Sequence, residues 1–263
     1  MKIKKNLDWM STFSNKYYSK IEDLSIVVKG PRVKNEVGLE LCPAYLEVNE
    51  ENSQEYKEID IISARTLSAI IADKFSKDIK YDVIIEDIAY IDLQKTKDDL
   101  KRNLRKSYKS LVNKNQDVYV VDKNESNHYI ELARKLHIEI SGKITRAKES
   151  WDVMAESLQD EKGILIVKGK REIIDGYCFF FCNEMNAYYS SSVMKERKGA
   201  HSLLWAGVIK AKDMGLSNLI MDYIKIEEIE DSKLKNIRHF KEGFGLDREQ
   251  SYIIKKINIG TEG

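Results

Sequence analysis

The fold is decided by residues 163–193, which read GILIVKGKREIIDGYCFFFCNEMNAYYSSSV. Three β-type runs lie in this stretch, at residues 163–168, 172–183 and 186–193. Only short polar segments separate them, Lys170-Arg171 and Asn183-Glu184-Met185, and connections of this length join neighbouring antiparallel strands. The sequence therefore predicts an antiparallel meander in the middle of the chain.

The segments that flank the meander predict an α+β fold. Apolar residues recur with helical spacing at 126–138 and 150–159 before it, and at 199–213 and 232–243 after it. Strand patterns follow at 219–221 and 251–257. We therefore expect mixed, largely antiparallel sheets flanked by helices.

The first part of the chain predicts strands at 24–29, 38–48 and 81–85 and a helix at 63–75. A basic amphipathic helix follows between Lys95 and Lys114, with Thr96 at its start. Its apolar stripe consists of Leu100, Leu104, Tyr108, Leu111 and Val112. The cations around that stripe indicate either a solvated helix surface or a contact with a phosphate-bearing ligand. We predict two domains, at residues 1–122 and 123–263.

Composition excludes several classes of protein. Lys and Arg number 44 against 43 Asp and Glu, and a net charge of +1 argues against a general nucleic-acid-binding protein. The longest strongly apolar run, residues 177–182, falls far short of the about 18 residues that a membrane-spanning helix needs. No apolar signal segment follows the basic N-terminus, so we expect a cytoplasmic protein.

The cysteines predict neither disulfides nor a metal site. Cys42, Cys178 and Cys182 are odd in number and lack Cys-x-x-Cys spacing, so we expect no bound metal. Cys178 and Cys182 lie in a phenylalanine-rich run and are best interpreted as buried small hydrophobic residues. A different kind of site is indicated by the loop Lys195-Glu196-Arg197-Lys198-Gly199, because it leads into a helix N-terminus, where an anion is stabilised. The alternative is a simple connector.

Several motifs give the chain a resemblance to a known family. They are Asp92-Leu93, the segment 104–111, the segment 201–205 with Lys210-Ala211-Lys212 and Gly215, and Phe240-Lys241-Glu242-Gly243-Phe244-Gly245. Together they resemble the GNAT acyltransferases, and more closely the branch of Fem-type peptidoglycan-bridge aminoacyltransferases. The resemblance covers most of the chain and implies two tandem GNAT-like domains. It also implies amide formation, with an acyl group carried by coenzyme A or by aminoacyl-tRNA.

The resemblance places acyl-CoA beside the loop before the helix at 199–213. The residues implied for the donor are Val193, Lys195, Arg197, Lys198, Gly199 and Ala200. The usual Arg/Gln-x-x-Gly-x-Gly/Ala pattern is only partly present, because Arg197-Lys198-Gly199-Ala200 supplies a single glycine. Coenzyme A is nevertheless the donor we expect, since the near-neutral charge and the absence of a long inserted helical segment argue against a tRNA-binding arm.

A further segment bears on the acceptor. Residues 137–146 with Ser150-Trp151-Asp152 are similar to a pattern in N-acyltransferases of surface-polysaccharide synthesis. That similarity implies a nucleotide-linked amino sugar as acceptor, such as a thymidine-diphosphate 3-amino-3,6-dideoxyhexose. The substrate-binding residues we expect are His137, Glu139, Arg146, Tyr188, Tyr189 and Lys241. For the first three, a salt-bridged connector between helices is an equal alternative.

Amide formation from a thioester needs a neutral amine, a proton acceptor and donors to the developing oxyanion. Asp222 directly follows a predicted strand and is the first candidate for the proton acceptor, unless it only terminates that strand. His201 is the second, because the positive end of a helix dipole favours its neutral form; a structural hydrogen bond is its alternative role. Lys241, implied by the family motif, suits a phosphate or an oxyanion.

Two other functions stay open at this point. One is aminoacyl-tRNA-dependent amide formation on a cell-wall precursor, for which the basic segment 95–114 would contact RNA. The other is a non-catalytic protein of the same fold that binds sugar nucleotides or a partner.

Overall fold

The computed structural model describes residues 26–29, 45–48, 63–66, 73, 76, 77, 79, 81–113, 117–146, 148–182, 186–196, 199–223 and 232–256. Its strands are β1 (Ile26–Lys29), β2 (Tyr45–Val48), β3 (Ser63–Thr66), β4 (Tyr81–Asp92), β5 (Val118–Val120), β6 (Gly163–Lys170), β7 (Ile173–Cys182), β8 (Asn186–Met194), β9 (Asn218–Tyr223) and β10 (Asp247–Lys256). Its helices are α1 (Lys97–Asn103), α2 (Lys106–Val112), α3 (Ser126–Ser141), α4 (Lys148–Gln159), α5 (Ala200–Asp213) and α6 (Ser232–Glu242).

The described strands form one ten-stranded sheet in the order β2-β1-β3-β10-β4-β9-β8-β7-β6-β5. Neighbours in this sheet are antiparallel, except that β8 and β9 are parallel. Helix α5 connects these two strands, as a parallel pair requires a crossover. The predicted meander of β6, β7 and β8 is confirmed, and so is the α+β class.

The middle strand of the meander is buried on both faces. Tyr177, Phe179 and Phe181 alternate along β7 with Cys178, Phe180 and Cys182, and successive strand residues point to opposite faces. The first three pack into a core with α3 and α4, which we call the α3–α4 core. The other three face a core formed with α1, α2 and α5, which we call the α5 core. Cys178 and Cys182 are buried, as predicted from sequence, and this burial raises the pKa of both thiols.

The predicted basic helix is in fact two helices. Thr96 begins α1 as expected, because its hydroxyl accepts a hydrogen bond from the Asp99 amide. Leu104 and Arg105 then adopt extended conformations, and the Arg105 N–H donates to the Gly243 carbonyl over 2.9 Å instead of continuing the helix. The periodicity was right, since Leu100, Leu104, Tyr108 and Val112 are buried. The break comes from a contact with a distant segment.

The predicted helix at 63–75 is wrong at its start. Ser63–Thr66 form β3, which pairs with β1 and with β10. The partners that stabilise this strand lie far away in sequence, so local spacing does not reveal them. Residues 67–72, 74 and 75 of that prediction lie outside the described part of the chain.

The last strand returns to the first half of the chain. β10 pairs with β4 over ten residue positions, from Asp247↔Tyr90 to Lys256↔Tyr81, and its other edge pairs with β3. Strands from both halves therefore belong to one sheet. The domain boundary between residues 122 and 123 stays a prediction.

Candidate active site

The parallel strands β8 and β9 stay together only at their beginnings. They pair at Asn186↔Asn218, Ala187↔Leu219 and Tyr188↔Ile220. A buried hydrogen bond of 3.0 Å between the side chains of Asn218 and Asn186 holds this closed end. From Tyr189 onward, β8 pairs with β7 alone among the described strands. The sheet therefore opens into a gap between β8 and β9, and β8 carries main-chain groups along it.

Both strands are irregular beside this gap. Ser190 is an extra residue in β8, because Phe179 pairs with Ser191 and Phe180 with Tyr189. In β9, Met221 and Asp222 together face Ala89 of β4. Bulges of this kind interrupt the ladder and free main-chain groups for other partners.

Lys241 lies at the gap and contacts both strands. Its Nζ atom donates a hydrogen bond of 2.5 Å to the carbonyl oxygen of Met221 in the β9 bulge. The same atom lies 5.4 Å from the ring centroid of Tyr189 on β8, within the range of a cation–π contact. Lys241 is half-buried. The structure thus places the predicted lysine where the two strands separate.

The two predicted tyrosines have different environments. Tyr189 packs at the edge of the α5 core, its hydroxyl lies 2.5 Å from the Ser192 hydroxyl, and burial raises its pKa. Tyr188 is buried against Ile88 and Ile220. Of the pair, Tyr189 is the one whose ring the Lys241 ammonium approaches.

Three of the sequence motifs meet in a cluster of four rings, Tyr108, His201, Phe240 and Phe244, which we call the aromatic cluster. The His201 ring centroid lies 4.3 Å from that of Tyr108, 5.1 Å from that of Phe240 and 6.3 Å from that of Phe244. His201 occupies the first turn of α5, as predicted, and its Nδ1 atom is buried. Its imidazole is therefore held rigidly by aromatic packing.

The glycines of the last motif allow α6 to lie against α2. A Cβ atom on Gly243 would stand 2.1 Å from Cε2 of Tyr108, so only glycine permits this approach. Gly245 has φ +73° and lies against Asn103, in a conformation that other residues rarely adopt. The Tyr108 hydroxyl in turn donates to the Phe240 carbonyl over 3.3 Å. The motif at 240–245 thus joins α6 to α1 and α2.

Many of the cations between Lys95 and Lys114 have partners within the chain. Lys95, Lys97 and Arg102 form ion pairs with Asp247, Asp213 and Asp99. Arg105 Nη1 lies 2.6 Å from His239 Nε2. These contacts favour a structural role for the four cations concerned, whereas Lys101 and Lys106 are exposed.

On the opposite face of the sheet, a line of hydrogen bonds starts at His137 in α3. Its Nδ1 lies 2.7 Å from the Tyr177 hydroxyl and its Nε2 lies 2.9 Å from the Thr145 hydroxyl. The Tyr177 hydroxyl also lies 2.8 Å from the Ser191 hydroxyl on β8. We call these four residues the His137 network. It connects the loop after α3 to the strand that borders the gap.

The network holds its titratable groups in neutral form. Burial, with a smaller effect of the Arg146 charge, lowers the pKa of His137 to about 4. Burial raises the pKa of Tyr177 to about 12. Neither group ionises near neutral pH, so the hydrogen bonds of the His137 network join neutral side chains.

Of the three predicted residues of this segment, the structure brings two together. His137 and Arg146 both lie against Trp151, with the His137 and Trp151 ring centroids 5.5 Å apart and the Arg146 guanidinium carbon 5.7 Å from the Trp151 centroid. Glu139 instead pairs with Lys195 at 3.5 Å. That ion pair links α3 to the residue that follows β8.

Sequence reasoning missed Tyr177 and Thr145 as members of a polar site. Tyr177 is fully buried in an otherwise apolar run, and a buried tyrosine hydroxyl normally finds a partner. That requirement was the available signal. Its partner, His137, is 40 residues away in sequence and could not be identified from spacing.

The predicted donor residues lie where β8 ends and α5 begins. Val193 is in β8, Lys195 follows that strand, and Gly199 and Ala200 are at the N-terminus of α5, where the N-cap residue Gly199 has no side chain to cap the helix. Arg197 and Lys198 lie outside the described residues. Asp222 is described by its main chain alone, in the β9 bulge, so its role as a proton acceptor stays a prediction.

No protein-family model and no curated protein sequence matches the chain. Solved structures do. FemX superposes with a TM-score of 0.58 and 11% identity, over 80% of this chain and 75% of FemX. The C-terminal domain of a putative lysylphosphatidylglycerol synthetase from Agrobacterium fabrum gives 0.60 and 13%, over 96% and 87%. L-PGS from Bacillus licheniformis gives 0.57 and 12%, over 96% and 86%.

The chain shares the fold of these solved structures, with a mixed, largely antiparallel sheet flanked by helices. At identities of 11 to 13% the likeness concerns the fold, and the chemistry has to be argued from the site itself. The described residues contain no helix long and apolar enough to cross a bilayer and no His/Cys/Asp/Glu group suited to a metal ion.

Proposed function

We propose that the chain is an N-acyltransferase that moves an acyl group from acyl-CoA to the amino group of a nucleotide-linked deoxyamino sugar. The observation that carries this proposal is the gap between β8 and β9 with the Lys241 ammonium beside it. In the reaction the sugar ammonium first gives one proton to the proton acceptor, which passes it to solvent, and the neutral amine nitrogen then bonds to the acyl carbon. The carbon–sulfur bond of the tetrahedral intermediate breaks, and the leaving thiolate takes up the second proton of the same nitrogen, so that coenzyme A departs as the free thiol. Both substrates are cytoplasmic metabolites, and we therefore place the reaction in the cytoplasm.

The main-chain edge of β8 supports a thioester donor. Residues 189–194 expose the β9-facing edge of β8, which lacks a strand partner within the described part of the chain. The pantetheine arm of coenzyme A carries amide groups that can pair with such an edge. The N-terminus of α5 follows at once with Gly199 as its N-cap, and the amides and dipole of this helix suit a diphosphate. Val193, Lys195, Gly199 and Ala200 would border this donor.

The chemistry at the gap needs one electrostatic and one proton-accepting group. Lys241 supplies a positive charge at the separation of the strands, where it would stabilise the oxyanion of the tetrahedral intermediate. His201, with its ring fixed by the aromatic cluster, and Asp222 in the β9 bulge are the proposed proton acceptors. A metal ion has no part in this mechanism.

Different groups cover the two faces of the sheet beside the gap. The aromatic cluster and α5 lie on one face, and the His137 network with α3 and α4 lies on the other. We place the acceptor on the side of α3 and α4, and the donor on the side of α5, so that the two meet at the gap. The nucleotide-linked amino sugar as that acceptor rests on the similarity of residues 137–152 to enzymes of surface-polysaccharide synthesis.

A second candidate is aminoacyl-tRNA-dependent amide formation. Two observations favour it: the superposition on FemX over 80% of the chain, and the exposed cations Lys101 and Lys106 on α1 and α2. Under this function the carbon–oxygen bond of an aminoacyl ester breaks instead of a thioester bond. The non-catalytic alternative predicts nucleotide binding without turnover.

One assay separates these functions. The purified chain is incubated with a panel of acyl-CoA thioesters and thymidine-diphosphate amino sugars, and free thiol and amide product are measured. We expect thiol release only when both substrates are present. Transfer from aminoacyl-tRNA that ribonuclease abolishes would support the second candidate, and stabilisation by nucleotides without any transfer would support the non-catalytic one.

A further inference from the structure

Arg146 contains a buried nitrogen that lacks a hydrogen-bond partner. Within the described residues, its Nη1 atom is shielded from solvent and no acceptor lies in reach. A buried charged N–H group without an acceptor costs free energy, and native structures almost always pair such groups. Arg146 therefore points to a hydrogen-bond acceptor that the described residues do not provide.

The guanidinium group is held in place by packing. Its carbon atom lies 5.7 Å from the Trp151 ring centroid. Trp151 is buried in the α3–α4 core and also contacts the rings of His137 and Tyr177. Because the planar guanidinium group rests on a rigid surface, its N–H groups are oriented before any ligand arrives.

The charges around Arg146 leave one positive charge to be balanced. His137 beside it is neutral near pH 7, since its pKa is lowered to about 4. Lys195, which directly follows β8, pairs with Glu139 at 3.5 Å. Among the described ion pairs, none includes Arg146. A ligand with a single negative charge would match this environment.

The position of Arg146 relates it to the gap between β8 and β9. Arg146 neighbours His137, and the His137 network ends at the Ser191 hydroxyl on β8, within the part of β8 that has separated from β9. The next residue toward the closed end, Ser190, has a buried hydroxyl that also lacks a partner among the described residues. A ligand bound at Arg146 would thus extend from the α3–α4 face toward the gap.

We propose that Arg146 binds a singly charged oxyanion of the acceptor, either a carboxylate or one phosphoryl group of a phosphodiester, with Trp151 as the support of the guanidinium group. This inference rests on the acyl-transfer function proposed above and assigns the acceptor's anionic end to the α3–α4 face. The acceptor's amine then lies at the gap, and its anion anchors it away from the reacting atoms.

The test uses small probes and needs no turnover. Binding of trifluoroacetate to the full chain is followed by ¹⁹F NMR line broadening, with acetate, dimethyl phosphate and neutral methyl acetate as competitors. We expect broadening that acetate or dimethyl phosphate reverses and methyl acetate does not. Stronger competition by acetate identifies a carboxylate acceptor, and stronger competition by dimethyl phosphate identifies a phosphodiester.

Two variants of Arg146 and one control make the test specific. Arg146→Met and the polar variant Arg146→Gln should weaken trifluoroacetate binding about tenfold or more, because they remove a charge-assisted hydrogen bond. Lys143→Met, an exposed cation in the same loop, should leave it unchanged. Absence of binding to the unmodified chain, or equal binding by a folded Arg146 variant, would overturn the inference. Probe binding without acyl transfer would leave the Arg146 site standing and refute the proposed function alone.

Discussion

Lys241 Nζ donates a hydrogen bond to the main-chain carbonyl oxygen of Met221 over 2.5 Å, at the point where β9 bulges away from β4. The contact connects the end of α6 to the gap between β8 and β9. It gives the lysine a fixed position beside the edge of β8, where a developing oxyanion would be stabilised.

Replacing Lys241 with Met should lower kcat about a hundredfold or more, because loss of one oxyanion donor typically has an effect of that size. Lys241→Arg should not restore the rate, since the guanidinium group is larger and differently shaped than the ammonium group. Steady-state thiol release measures both. Lys235→Met, an exposed lysine on the same helix, is the matched control. Full activity of a folded Lys241→Met protein would refute the role.

Gly243→Ala should destabilise the protein by about 1–3 kcal/mol, as expected for a side chain forced into filled space. The new Cβ atom would overlap the Tyr108 ring, from which it would stand 2.1 Å. Urea unfolding measures the free energy. In a double-mutant cycle, Tyr108→Leu should relieve part of this cost, because the ring causes it. Strictly additive effects would show that the close approach is unimportant.

The free energy of unfolding should decrease as the pH is lowered, and part of this decrease should come from His137. Its pKa in the folded state is about 4, below the unfolded value of 6.5, so the unfolded chain binds more protons between these values. The contribution of neutral His137 is therefore complete above pH 6.5 and is lost as the pH falls toward 4. One proton corresponds to at most about 1.4 kcal/mol per pH unit, and less for a partly exposed ring.

The control for this pH dependence is the variant His137→Gln, because glutamine has no titratable group at that position. Free energies of unfolding measured by urea denaturation between about pH 7 and pH 4.5 should decrease less steeply in the variant than in the unmodified chain. Identical slopes in the two proteins would contradict the neutral, buried state of His137.

His201→Phe separates the two roles left open for His201. A phenylalanine can pack against Tyr108, Phe240 and Phe244, so the melting temperature should change little. It cannot accept a proton, and the rate should fall about a hundredfold with loss of the acidic limb of the pH–rate profile. An unchanged rate and profile would assign His201 to packing alone.

Periodicity was sufficient for elements whose partners are adjacent in sequence. The meander of β6, β7 and β8 needs only short connections, and the buried positions Leu100, Leu104 and Tyr108 follow from helical spacing. The Thr96 cap is likewise local. Periodicity failed for Ser63–Thr66, which form β3 because β1 and β10 pair with them. It also failed for the helix predicted between Lys95 and Lys114, which the contact of Arg105 with Gly243 divides into two.

In the candidate site, too, the residues could be selected from sequence but their contacts could not. Motif residues such as Lys241, His201 and Arg146 were selected from sequence, but nothing local predicted that Lys241 would contact β8 and β9 together. The line from His137 through Tyr177 to Ser191 joins three elements, and hydrogen bonds between such distant side chains depend on how the elements pack.

The sequence by itself determined the α+β class, the order of most helices and strands and the identity of the motif residues, because these depend on short-range periodicity and composition. Only the tertiary structure decided that β8 and β9 separate after Tyr188, that three motifs meet in the aromatic cluster, and that a nitrogen of Arg146 is buried without a hydrogen-bond partner among the described residues. The physical reason is that strand pairing, ring packing and burial of charge depend on contacts between residues far apart in the chain.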